Sequence, residues 1–177
     1  MTTALRHRPA LIAPFVTRPA ERVLDRDALD LAPATAAIDG VYRLRRARRQ
    51  RQGCIVLQES AVTYAFLTEA LPLLDAEGID LDVYYVASSE LFDLLPAAER
   101  ERIFPERYAM EAMGITGFTM PTMYRWIRSD LGRSMTMHPF MHARYTGSGP
   151  GPAVLKEAGL DGESQYRRIV EYVRARQ

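Results

Sequence analysis

Residues 147–152 of this 177-residue chain read Gly-Ser-Gly-Pro-Gly-Pro and run straight into Ala153, Val154, Leu155 and Lys156. A glycine loop entering a helix can hold a phosphate or carboxylate, because free backbone N–H groups and the positive end of the helix dipole point the same way. Gly147, Ser148 and Gly149 are therefore the candidates for an anion site. The specific phosphate patterns are absent. A P-loop needs Lys and Ser or Thr after its last glycine, where this chain has Pro152 and Ala153. A dinucleotide fingerprint needs Gly at 152 and a place in the first strand–helix turn, whereas this loop comes late. Pro150 and Pro152 also lack N–H donors. The expectation is a structural turn into a helix, with an anion site across Gly147–Gly151 as the alternative.

His138 and His142 have the four-residue spacing of a helical metal pair, but Pro139 interrupts the helix and no acid follows closely. No metal ligand is assigned. Cys54 heads an apolar run and reads as packing, since a nucleophile would want exposure and a nearby base. With three histidines in all and no G-x-S-x-G elbow, no catalytic residue is assigned either. The run 43–51 carries six arginines in nine residues. It has no interleaved aromatics and no nucleic-acid module around it, so nucleic acid is not expected. A solvated helix or a contact to an acidic protein surface through Arg45, Arg46, Arg48 and Arg49 is the expectation. The apolar positions Met120, Met123, Tyr124, Trp126 and Ile127 read as core or interface.

The elements that must position these residues begin at Gly53. Residues 54–60 and 79–88 are apolar runs with the length of buried strands. Residues 62–78 have helical apolar spacing with Gly78 as terminator. Residues 89–104 predict a broken helix with Ser89 as N-cap, and 106–113 a third strand. Residues 119–132 predict a helix with Pro121 in its first turn and Gly132 as terminator. A fourth strand and an irregular piece fall in 134–145, and helices in 152–159 and 162–176. This alternation predicts a three-layer α/β domain over 53–177, a doubly wound and mostly parallel sheet of about five strands. Residues 1–52 read as an arm: a strand at Leu11–Val16, a linker over 25–39, and an exposed helix or extended basic segment over 40–52.

The chain has 47% apolar and 25% charged residues and a formal net charge of +1, as expected of a globular domain. The charge is unevenly placed, with eleven Arg against five acids in 1–52 and three against twelve in 53–111. A basic arm can therefore lie on an acidic neighbour. No apolar run approaches the ~20 residues of a membrane span. A single cysteine and no convincing signal peptide predict a cytoplasmic protein without a membrane partner.

Glu90–Asp93, Glu99–Pro105 and Ala109–Ala112 follow one another as the Ser-Glu-Leu-Phe-Asp helix, Tyr-Arg-Glu-x-Val-Leu-Pro stretch and Val-Glu-Ala strand do in the transketolase C-terminal domain, which they resemble. Tyr145–Pro150 and Glu157–Asp161 resemble that family's closing Phe-Gly-Ala-Ser-Gly-Pro motif and Phe-Gly-Leu-Thr helix end, and 54–88 its strand–helix–strand opening. The region 114–145 is longer and richer in Met than the family's, which marks a divergent branch. Residues 9–26 resemble the last strand of the family's preceding pyrimidine-binding domain. The resemblance implies a stand-alone third domain with a borrowed strand: a C-terminal subunit or domain of a split thiamine-diphosphate-dependent enzyme. Such an enzyme moves a two-carbon ketol or acyl unit to a sugar phosphate, or to a lipoyl or acyl-carrier arm. The resemblance places the cofactor and its divalent metal in a catalytic transketolase-like partner subunit, with this chain binding neither and supplying assembly contacts in a hetero-oligomer or dimer. A non-catalytic module that binds an anionic effector at the glycine loop is the alternative.

Overall fold

A computed structural model describes residues 2–7, 9, 11–14 and 21–177. Of the strand expected at Leu11–Val16, residues 15 and 16 lie outside the described residues, and 11–14 are irregular. A short helix, α1 (Thr2–Arg6), begins the described chain. A 3-10 turn over Ala34–Asp39 leads into β1 (Val41–Arg45). There follow β2 (Gly53–Gln58), a continuous helix built of α2 (Ser60–Ala65), a π turn (Phe66–Ala70) and α3 (Leu71–Ala76), then β3 (Leu81–Val86). The π turn sits just before Pro72, whose ring clashes with the carbonyl four residues back. After β3 come α4 (Ser89–Asp93), α5 (Ala97–Ile103), α6 (Glu106–Glu111) and β4 (Ala112–Thr116). A 3-10 turn at Met120–Met123, α7 (Asp130–Met135), α8 (Gly151–Glu157) and α9 (Gly162–Ala175) complete the order.

The sheet runs β1-β3-β2-β4, with β2 parallel to both β3 and β4 and β1 antiparallel to β3. It is the doubly wound, mostly parallel α/β sheet expected, with four strands and a one-residue fifth position where Met137 bridges Ile115 in parallel. The pleat sends alternate residues of β2 to opposite faces. Ile55 and Leu57 pack with Phe66, Leu74, Ile169 and Val173 of α2–α3 and α9. Cys54 and Val56 pack with Phe92, Tyr108, Trp126 and Ile127 on the other face. Both faces are thus covered, which is why β2 reads as a continuous apolar run. Flanking segments bond to part of each sheet edge too. On β1, the Leu44 carbonyl accepts from Ala32 N–H at 2.8 Å. On β4, Gly114 N–H donates to Thr136 Oγ1 at 3.0 Å, and the Gly114 carbonyl accepts from Met137 N–H at 2.9 Å.

Four expectations are corrected. Residues 40–52, expected as an exposed helix or extended basic segment, contribute β1, in which Val41, Tyr42 and Leu44 are buried and acids elsewhere answer the arginines. Residues 106–113, expected as a strand, form α6 and only the start of β4. Pro105 and Glu106 open a helix there, and Tyr108, Ala109 and Ala112 meet the core at helical spacing. The helix expected over 119–132 is a 3-10 turn followed by a separate α7, which Ser129 caps by accepting from Gly132 N–H at 3.0 Å. Gly132 does not end a helix: it lets α7 press on β4, where an added Cβ would lie 2.0 Å from the Ala112 carbonyl oxygen. The cap of α4 is Ser88, one residue before the one expected.

Candidate functional site

Parallel strands put every following loop at one end of the sheet, and ligands of open α/β sheets bind outside those carboxyl ends. Here that end gathers residues 58–60, 87–90, 117–124 and 138–150. A crevice of about 580 Å³ opens among them, lined by Gln58, Ser89, Glu90, Thr122, Tyr124 and Arg125 together with Phe118 and Pro121. Its volume falls in the range of small-molecule sites.

Local chemistry fixes the walls. The Gln58 side-chain oxygen accepts from Thr116 Oγ1 at 3.0 Å and from Thr122 Oγ1 at 2.7 Å, joining β2, β4 and the turn after β4. Glu59 has φ 82° and ψ 143°, a backbone region that glycine favours and that costs another residue about 1–3 kcal/mol. Its carboxylate accepts from Ala61 N–H at 2.8 Å and Val62 N–H at 3.2 Å, so an internal anion caps the helix that starts at the crevice. Ser88 accepts from Leu91 N–H at 3.2 Å and donates to Glu90 at 3.0 Å. The Glu90 carboxyl is held below its ordinary value by its own backbone N–H and by the Ser88 and Ser89 hydroxyls. Arg125 grips Asp93 in a fork of 2.9 and 2.6 Å and lowers that carboxyl as well.

The glycine loop lies at the same end. Gly147, Ser148 and Gly149 are exposed, and α8 starts at Gly151 without a side-chain cap. Gly147 N–H donates to both carboxylate oxygens of Glu157, at 3.2 and 3.1 Å, so a carboxylate of the chain itself takes the loop's first donor. His138 Nδ1 accepts from Phe140 N–H at 3.3 Å, and burial pushes its pKa down. Among the described residues no group of three His, Cys, Asp or Glu side chains could hold a metal ion.

The arginine run lies at the opposite end, after antiparallel β1. Arg45 is 4% exposed and forks onto Asp75 at 2.9 and 2.9 Å, so it is not part of the outer surface. Arg48 is exposed and pairs with Asp30 at 2.9 Å. Arg46 and Arg49 are exposed and have no ion-pair partner among the described residues. Backbone amides of the loop are bound by β3 and its approach: Ala47 N–H donates to Asp82 at 3.0 Å, and Arg49 N–H donates to Asp80. Beside them Tyr172 of α9 reaches across to β2 and the start of β4. Its hydroxyl accepts from Cys54 N–H at 3.2 Å and donates to the Glu111 carbonyl. Arg176 adds bonds to the Glu111 carbonyl and carboxylate, both 2.9 Å, and to the Gln52 carbonyl at 3.2 Å.

No protein-family model matches the sequence. No curated protein matches it either. Solved structures do. A transketolase from Leishmania mexicana aligns at TM-score 0.57 and 20% identity over 78% of this chain. One from Pichia stipitis aligns at 0.57 and 20% over 81%, and one from Campylobacter jejuni at 0.55 and 18% over 75%. The chain has a transketolase-like fold. It spans 18–19% of the length of those enzymes, which corresponds to a fraction of one transketolase chain.

Within this transketolase-like domain, the glycine loop and the histidines share an end with the crevice, and the arginines sit at the other. From the sequence Ser89 reads as an N-cap, Pro121 as a first-turn residue and Tyr124 as core or interface, and no crevice residue reads as part of a site. Tyr124 is instead half exposed on the crevice wall. The signal of the crevice is local: Gln58-Glu59-Ser60 and Ser88-Ser89-Glu90 are polar triplets at the end of an apolar strand and the start of a helix. Thr122 and Tyr124 gave no such sign, because they arrive from more than 30 residues away.

Proposed function

We propose that the chain is the C-terminal subunit or domain of a split, thiamine-diphosphate-dependent transketolase-like enzyme, in which it supplies assembly contacts. One observation carries this reading: the fold matches transketolases over 78–81% of this chain but only 19% of theirs. A fold that is one part of a larger enzyme elsewhere fits a chain that works with further parts. The catalytic partner holds thiamine diphosphate and its divalent metal, the chemistry that transfers a ketol or acyl unit. The exposed Arg46, Arg48 and Arg49 form the contact to an acidic carrier or partner surface, and Arg45 supports them from within through Asp75. The glycine loop is a turn into α8 in this reading. Calorimetry with thiamine diphosphate tests it, on the chain alone and on the chain co-expressed with the products of neighbouring genes. Binding is expected only in the co-expressed sample. Binding by the chain alone, or by neither, overturns the proposal.

A further inference from the structure

We propose that the crevice at the carboxyl ends of β2, β3 and β4 binds an uncharged, polyhydroxylated ligand. The site goes beyond the proposed assembly and is independent of it. Gln58 is the central observation. The Thr116 and Thr122 hydroxyls lie 3.0 and 2.7 Å from its side-chain oxygen and hold the carboxamide in place. Its Nε2 then presents two N–H donors in a fixed orientation, and they have no acceptor among the described residues. Glu90, on the facing element, is the complementary acceptor. Its carboxyl is held toward the ionised form, and no cation pairs with it among the described residues. Tyr124, half exposed at 50%, lines the same crevice, with Arg133 over one side of its ring at 5.5 Å from the centroid. A donor pair, a carboxylate and an open aromatic face suit a molecule whose hydroxyls both donate and accept and whose C–H face is apolar.

Charge decides against a phosphorylated version of the same ligand. The helix N-terminus at the crevice, where a phosphate would gain most, is filled by the Glu59 carboxylate. Glu90 adds a second negative charge, and the rim cation Arg125 is spent on Asp93. A phosphate would meet the Glu90 carboxylate, and the helix amides of Ala61 and Val62 are already taken by Glu59.

The test is an NMR titration of the full ¹⁵N-labelled chain with glucose and, separately, with glucose 6-phosphate and inorganic phosphate. Glucose is expected to shift the Gln58 side-chain NH₂ signals and the amides of Glu90 and Tyr124. The phosphorylated sugar should bind about tenfold more weakly, and inorganic phosphate should leave these signals in place. T122V removes one of the two bonds that orient the Gln58 amide and should weaken glucose about tenfold, with the rest of the spectrum unchanged. Q58M, which keeps length without the amide, reads the same loss by a second route. No shift at Gln58, equal or tighter binding of glucose 6-phosphate, a response to phosphate alone, or undiminished binding by both variants would each overturn the proposal.

Discussion

Replacing Tyr172 by Phe removes one oxygen from a fully buried side chain and leaves its ring in place. That oxygen accepts from Cys54 N–H at 3.2 Å and donates to the Glu111 carbonyl, so it ties the far end of α9 to β2 and to the start of β4. The two partners fare differently in Tyr172→Phe. The Glu111 carbonyl keeps the Arg176 guanidinium at 2.9 Å. The Cys54 N–H loses this acceptor in a setting where the residue is 0% exposed. Losing a buried hydrogen bond costs about 0.5–1.5 kcal/mol, so a loss of about 1 kcal/mol is expected. For a chain of this size that is a fall in Tm of about 2–4 °C. Urea unfolding followed by circular dichroism checks it, with an unchanged denaturant slope. Burial pushes the Tyr172 hydroxyl up to about 12, so it stays protonated and the loss should be the same from about pH 6 to about pH 9. A loss under about 0.5 kcal/mol, the size of an ordinary surface change, would refute the idea that this hydroxyl holds the two strands.

Gly132→Ala should cost several kcal/mol or prevent folding, because its Cβ would lie 2.0 Å from the Ala112 backbone oxygen, which cannot move aside; a Tm within about 2 °C of the parent would show that α7 shifts freely. Asp93 and Glu90 are both held below their ordinary 3.8 and 4.5, so their stabilisation is present above those values and lost as pH falls through the folded values. Asp93→Asn should therefore reduce stability at neutral pH by no more than about 1 kcal/mol, as for an exposed pair, and flatten part of the acid limb of a pH series; an unchanged limb would count against the Arg125 fork. Charge reversal of Arg46 and Arg49 to Glu should leave the unfolding midpoint nearly unchanged, since neither has an ion-pair partner among the described residues, while abolishing capture of an acidic partner in a pull-down. Undiminished capture would dispose of the arginine contact.

Burial on both faces made β2 and β3 legible, because each carries four consecutive apolar residues, 54–57 and 83–86. The helix from Ser60 to Ala76 and α9 were legible for the opposite reason: each buries one face and repeats its apolar residues at helical spacing. β1 hid behind its arginines. The acids that neutralise Arg45 and Arg43 lie 30 or more residues downstream, at Asp75 and Asp82, so no local window shows that this basic segment is a buried strand. Gly132 was misread because a terminator and a close-packing glycine look alike until the strand beneath is known. The crevice was illegible for a related reason. Gln58, Glu90 and Tyr124 acquire a common purpose only when two crossovers bring the ends of β2, β3 and β4 together.

The partly bonded sheet edges limit how this domain can meet other proteins. A strand offered by another chain needs a free row of backbone donors and acceptors, and at Leu44 and Gly114 those groups are already engaged by Ala32, Thr136 and Met137. Recruitment by extending the sheet would first have to peel away one of these flanking segments. Assembly is therefore left to side chains on helices and loops, whose contacts can be exchanged one residue at a time. The same bonds make the folded domain a poorer template for stacking on itself.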